Sequence, residues 1–164
     1  MSSRSDALLW LWIGAAVIVA AVVAPALFAV LPSRALAGQV VGRILPVVFW
    51  SGALVGAVHL ATGHGWRRAA AAVIICTALG AQLGVNPRIA RLRAQLGPNI
   101  EAIPVDDPQR QAFGRLHGVS VALLGVGLLA AAAIAIAGLA RPAGAQSDAS
   151  ESAVARPAAA GGMR

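Results

Sequence analysis

The stretch ALLWLWIGAAVIVAAVVAPALFAVL, residues 7–31, runs for twenty-five residues without a charge. A bilayer's hydrocarbon core takes about 20 apolar residues of α-helix to cross, so this run is long enough to span it. Lipid offers no water to a bare backbone N–H or C=O, and a single segment satisfies all of them only as a helix. The same reasoning selects three further runs of Leu, Val, Ile and Ala, at about 44–61, 69–85 and 116–139. The helix of the second run can begin as early as Leu36. The expected fold is therefore all-α, a four-helix transmembrane bundle in residues 1–140. A signal peptide competes for the first run, because Arg4 precedes it and small residues gather near Ala24. A signal's apolar core is about 7–15 residues, which favours an uncleaved helix.

Composition agrees. The chain is 59% hydrophobic and 12% charged, where a soluble domain carries about 25% charged residues. Mean hydropathy is +0.77. A net charge of +7 raises nucleic acid as a partner, but the basic residues stand at the ends of apolar runs and not on one soluble face. No nucleic acid is expected. All 13 basic residues are Arg, which with the abundant Ala, Gly and Val reflects a GC-rich genome. Cys76 is the single cysteine, so no intrachain disulfide exists.

Asp107-Pro108 reads as an N-cap followed by Pro at the first helical position. The fourth helix then starts before the membrane and carries Arg110, Phe113 and Arg115 on an aqueous stem. Asn86-Pro87 marks either a kink in the third helix or a cap that restarts it. Ile89, Leu92 and Leu96 follow at helical spacing with Arg88, Arg91 and Arg93 between them. Two placements fit: a short helix lying at the interface, or an extension of the third helix with a solvated face. Residues 97–107 read as a loop. Residues 141–164, rich in Ala, Pro, Gly and Ser, read as a disordered tail.

Four spans put both termini and the loop between spans two and three on one side. Near the spans that side holds Arg4, Arg67, Arg68 and Arg141. The other holds Arg34, Arg43, Arg88, Arg91, Arg93, Arg110 and Arg115. Seven against four places the second side in the cytoplasm and both termini outside it. Trp10, Trp12 and Trp66 then form a belt at the outer interface.

Asp6, Glu101, Asp106, Asp107, Asp148 and Glu151 all fall outside the four runs, which leaves no intramembrane carboxylate for a proton relay. His59 and His64 lie at the end of the second run, while His117 opens the fourth from the opposite face, roughly 20–30 Å away. The three cannot ligate one metal. His59 with His64 is a weak candidate pair, lacking a neighbouring carboxylate or thiolate, and no metal or cofactor is expected. No nucleophile–base pair or paired carboxylates converge, so no enzymatic activity is expected either. Glycine pairs four apart, Gly38/Gly42, Gly52/Gly56, Gly80/Gly84 and Gly114/Gly118, suit close helix packing. Ser51 and Gln82 are read as interhelical hydrogen-bond donors, and Pro25 as a kink in the first helix.

Four segments taken together resemble one family: Ala24-Pro25-Ala26-Leu27-Phe28 with Leu31-Pro32; Ala37-Gly38-Gln39 through Leu45-Pro46; Asn86-Pro87-Arg88-Ile89; and Arg110 through Ser120, containing Phe113, Leu116-His117-Gly118 and Ser120. Over residues 8–139 the chain is similar to the bacterial branch of the transmembrane-protein-205-like family, also catalogued as domain-of-unknown-function family 4149. The resemblance implies a four-helix membrane domain without an established molecular activity. Animal members are associated with drug resistance, which implies export or trafficking. The matching positions are Pro25, Phe28, Gly38, Pro46, Pro87, Arg88, Phe113, His117, Gly118 and Ser120. Members often carry Asn where this chain has Leu124. His117 stands one turn from Phe113 and Ser120 and on the same side as Arg88, where both can meet a headgroup or an anionic ligand. The alternative gives His117 a packing role, alongside Pro25, Gly38, Pro46, Pro87 and Gly118. Three functions follow as expectations. One is a multi-pass bacterial inner-membrane protein assisting transport or toxicant resistance. The second is a haem- or copper-handling bundle. The third is a structural subunit that binds a second copy or another membrane protein.

Overall fold

The computed structural model describes residues 2–97 and 100–140. Among the described residues four helices are long and apolar enough to cross a membrane: α1 (Arg4–Val30), α2 (Arg34–Thr62), α3 (Trp66–Leu96) and α4 (Pro108–Leu139). No strand occurs among them. The fold is an all-α transmembrane bundle. The tail read as disordered, residues 141–164, lies outside the described residues.

The second, third and fourth helices are longer than their apolar runs. The 32 residues of α4 rise about 48 Å against a hydrocarbon thickness of about 30 Å, so charged turns stand in the headgroup layer. Residues 86–96 belong to this overhang. They continue α3 without a break, so the short interfacial helix is corrected to the extension of the third helix. The helix continues because the turn before Pro87 widens: residues Gly80–Val85 form a π turn, and the Asn86 N–H bonds the carbonyl of Ala81. Widening the turn makes room for a ring that lacks an N–H and would crowd the preceding carbonyls. The same device precedes Pro25, where Val19–Val23 form a π turn and the Ala24 N–H bonds Val19. Pro46 sits inside α2 without one.

The ends are capped by short polar side chains. Ser33 accepts from the Leu36 N–H at 3.2 Å. Asp107 Oδ1 accepts from Gln109 N at 2.8 Å and Arg110 N at 3.0 Å, with Pro108 in the first turn. Such a cap contributes about 1 kcal/mol. Gly65, before α3, has φ +56° and ψ −135°, a conformation side chains avoid.

Helix α2 packs mainly on α3 and α3 on α4, while α1 closes the group against α2 and α4. Only 6% of the apolar window of α1 is buried, against 33% for α3 and α4, so α1 is the peripheral helix. Its attachment corrects the expected aromatic belt. Trp12 is buried, and its Nε1–H donates to the Val48 carbonyl of α2 at 2.9 Å. The indole lies against Gly52, where a Cβ would come within 2.6 Å of the ring. Trp10 and Trp66 are exposed. Around this contact the core gathers Leu9, Ala16, Phe49, Ile74, Ala78, Ala131 and Ile134.

Glycines divide by position. A Cβ at Gly56 would stand 2.9 Å from Ile75 and one at Gly127 2.9 Å from Thr77 Oγ1, so both mark tight helix contacts. A Cβ at Gly114 or Gly118 would meet nothing, and the close approach expected there is not made. Gly52→Val is predicted to lower stability by about 1–3 kcal/mol, the range for overpacking, whereas Gly118→Ala leaves it nearly unchanged. Thermal unfolding in detergent, followed by loss of monodisperse protein, measures both.

Candidate functional site

At the end of the bundle where α1 and α3 finish and α2 and α4 begin, the helices splay around a cavity of about 640 Å³. That is the size of a small-molecule site. Phe28, Val41, Leu45, Ile89 and Phe113 make its apolar wall, while Arg34, Arg93 and Arg110 bring guanidinium cations to it and His117 an imidazole. Among the described residues no Asp or Glu lines it.

Arg93 is the central group. Its guanidinium lies 5.6 Å from the Phe113 ring centroid, a cation–π distance. On its other side is the start of α2. A Cβ on Gly38 would come within 3.2 Å of Nη2, and one on Gly42 within 3.2 Å of Nη1. The Gly38/Gly42 pair therefore does not let two backbones approach; it leaves a trough that a guanidinium occupies. Among the described residues Arg93 has no hydrogen-bond acceptor and no ion-pair partner. A half-buried guanidinium with its donors unspent is a built receptor for a carboxylate or phosphate. Arg110 is partly engaged, since its Nη1 donates to the Ile103 carbonyl in the preceding loop.

Phe113, His117 and Ser120 all reach this cavity, as do Gly38 and Pro87. Ser120 is buried and His117 exposed. Arg88 does not join them: its Nη1 turns back to the Gly84 carbonyl of its own helix at 2.9 Å, and it is absent from the wall. Gly118 stands outside the cavity, Pro25 is exposed on α1, and Pro46 is partly buried within α2. The interhelical role expected of Ser51 and Gln82 is not found. Ser51 bonds the carbonyls of Val47 and Val48, and Gln82 accepts from Asn86, all within single helices. Leu124 is buried in the core and serves packing.

The opposite end holds a second polar group. His59 is 5% exposed, and its Nε2 lies 3.8 Å from Asp6 Oδ1. Asp6, expected outside the first span, is inside α1 and faces the bundle. Arg67 Nη2 donates to the Ile134 carbonyl at 3.2 Å. His64 is exposed on the turn after α2. Among the described residues no three His, Cys, Asp or Glu side chains gather as a metal site.

Sequence reasoning missed Arg34, Arg93 and Arg110. The available signal was the Gly38/Gly42 spacing, which fits a recess for a long side chain as well as it fits a second helix. A cysteine at Gly114, in a Cys76→Ser background, is predicted to react about tenfold faster with a sulfonated thiol reagent than with a cationic one. Arg93→Gln with Arg34→Gln should abolish the preference in a stopped-flow comparison of the two rates.

The family model described as Domain of unknown function (DUF4149) matches residues 7–98, from the start of α1 to the end of α3. The match takes in Arg34 and Arg93 and stops before the cavity residues of α4. No curated protein and no solved structure matches the chain. With more than half its length matched, this chain belongs to the domain-of-unknown-function family DUF4149.

Proposed function

We propose that the protein binds amphipathic anions in the arginine-lined cavity and assists their movement out of the membrane, a role in transport and toxicant tolerance. One observation carries the reading: Arg93 lies in the Gly38/Gly42 trough under Phe113 with no anion from its own chain among the described residues. Apolar walls beside the Arg93 guanidinium suit a ligand with an apolar body and an anionic head. His117 and Ser120 are the polar groups placed to select among such heads. On this reading the protein is not an enzyme and takes no cofactor, and its partners are the bilayer and a second copy or another membrane protein. Four helices of this length leave no wide pore, which favours an assembly. It is further read as a bacterial inner-membrane member of the transmembrane-protein-205-like group, with both termini outside the cytoplasm.

Purified protein should bind dodecyl phosphate, and should not bind dodecyltrimethylammonium or replace the phosphate ligand by dodecyl maltoside. Arg93→Leu should weaken dodecyl phosphate binding about tenfold or more, because a charge-assisted hydrogen bond contributes about 1.5–3 kcal/mol. Isothermal titration in an uncharged detergent measures this. In cells, deletion should raise sensitivity to amphipathic anions. Unchanged sensitivity across a toxicant panel, with a stable membrane partner recovered by detergent pull-down, would replace the transport role by that of a structural subunit.

A further inference from the structure

We propose that His59 and Asp6 form a proton-binding site at the end of the bundle opposite the cavity. The proposal is independent of the ligand reading above. About 25–32 Å of helix separates His59 from the trough glycines of α2, at 1.5 Å per residue.

The argument starts from the ring. His59 Nδ1 lies 3.0 Å from the Val55 carbonyl of its own helix. A carbonyl only accepts, so Nδ1 carries a hydrogen. The neutral ring then has its lone pair on Nε2. That atom is buried without a hydrogen-bond partner, 3.8 Å from the Asp6 carboxylate. Two acceptors therefore face each other with no donor between them. A bare buried acceptor is costly, and a proton on Nε2 removes the cost by turning the pair into a donor aimed at a carboxylate.

The surroundings fit a proton better than a metal. Among the described residues the site offers two metal-ligating side chains, from α1 and α2. Helix α3 brings Arg67, which disfavours a second cation of higher charge. Helix α4 brings no titratable group but Gly138, whose missing side chain leaves the space between them. A Cβ there would stand 3.5 Å from Arg67 Nη2 and 3.6 Å from Asp6 Oδ2. Arg4, Arg68 and His64 are exposed at the same end. Asp6 thus sits between one permanent cation, Arg67, and one conditional cation, His59. Because α1 is the peripheral helix, a proton on His59 fastens its first turns to α2, and loss of that proton loosens them.

Nitrogen-15 NMR of the full chain in detergent, with His64→Gln and His117→Gln to leave one ring, tests this. At pH 9 the ring should be the Nδ1–H tautomer, the less common form for a free imidazole. On acidification Nε2 should gain a proton while the Asp6 carboxylate carbon shifts in step, and amide exchange in residues 4–12 should slow relative to its intrinsic rate. In Asp6→Asn, which leaves Nε2–H no carboxylate to meet, exchange in residues 4–12 should lose its pH response. An Nε2–H tautomer at pH 9, or no proton uptake down to pH 4.5, overturns the proposal on the His59-bearing chain alone. So does a pH response of exchange in residues 4–12 that survives Asp6→Asn, or stoichiometric zinc binding at pH 8 that occupies Nε2.

Discussion

Within a bilayer a backbone carbonyl or amide has no solvent to fall back on, and this chain answers that constraint with four helices each long enough to cross. The constraint also governs how the helices meet. Lipid tails are as apolar as Leu and Val side chains, so burying those side chains gives little advantage over leaving them in lipid. Association rests on close fit and on a few polar contacts. Trp12 supplies both for α1, filling the notch at Gly52 and donating to the Val48 carbonyl. Ala71, Ala78, Ala81, Ala131 and Ala135 supply the fit between α3, α4 and their neighbours. The exposed leucines and valines of the outer faces are the membrane-facing surface.

Polar chemistry is consequently sorted to the two ends. One end gathers Arg34, Arg93 and Arg110 around the cavity, and of these Arg93 has no anion beside it among the described residues. The other collects an acid, a base and a guanidinium in close packing, so its charges act on one another.

What could be read from the sequence follows the length scale of each feature. The four helices were legible because each rests on a long uncharged run that no other structure can satisfy. Their true ends were not, because charged turns such as Arg88–Arg93 remain helical after leaving the hydrocarbon. Trp12 was misread because a tryptophan near a span end ordinarily marks an interface, and only the notch at Gly52 draws it inward. Phe113, His117 and Ser120 were placed together because they share one face of one helix. Arg93 escaped notice among three similar arginines, since its direction depends on contacts with a different helix. Asp6 and His59 escaped because the acid was assigned to the aqueous flank of a run that the helix in fact includes.

The π turn in α3 sets the direction of everything beyond it. Each residue turns an α-helix by about 100°, so the widened turn at Gly80–Val85 works as a phase shift between the two halves of one rod. The half before it presents Ala71, Ile74 and Ala78 to the bundle; the half after it presents Asn86, Ile89 and Arg93 to the cavity. Shortened by a single residue there, the rod would still cross the membrane with its inner contacts intact. Its final two turns would be swung a quarter-circle round, and the guanidinium would point past the trough into the headgroups.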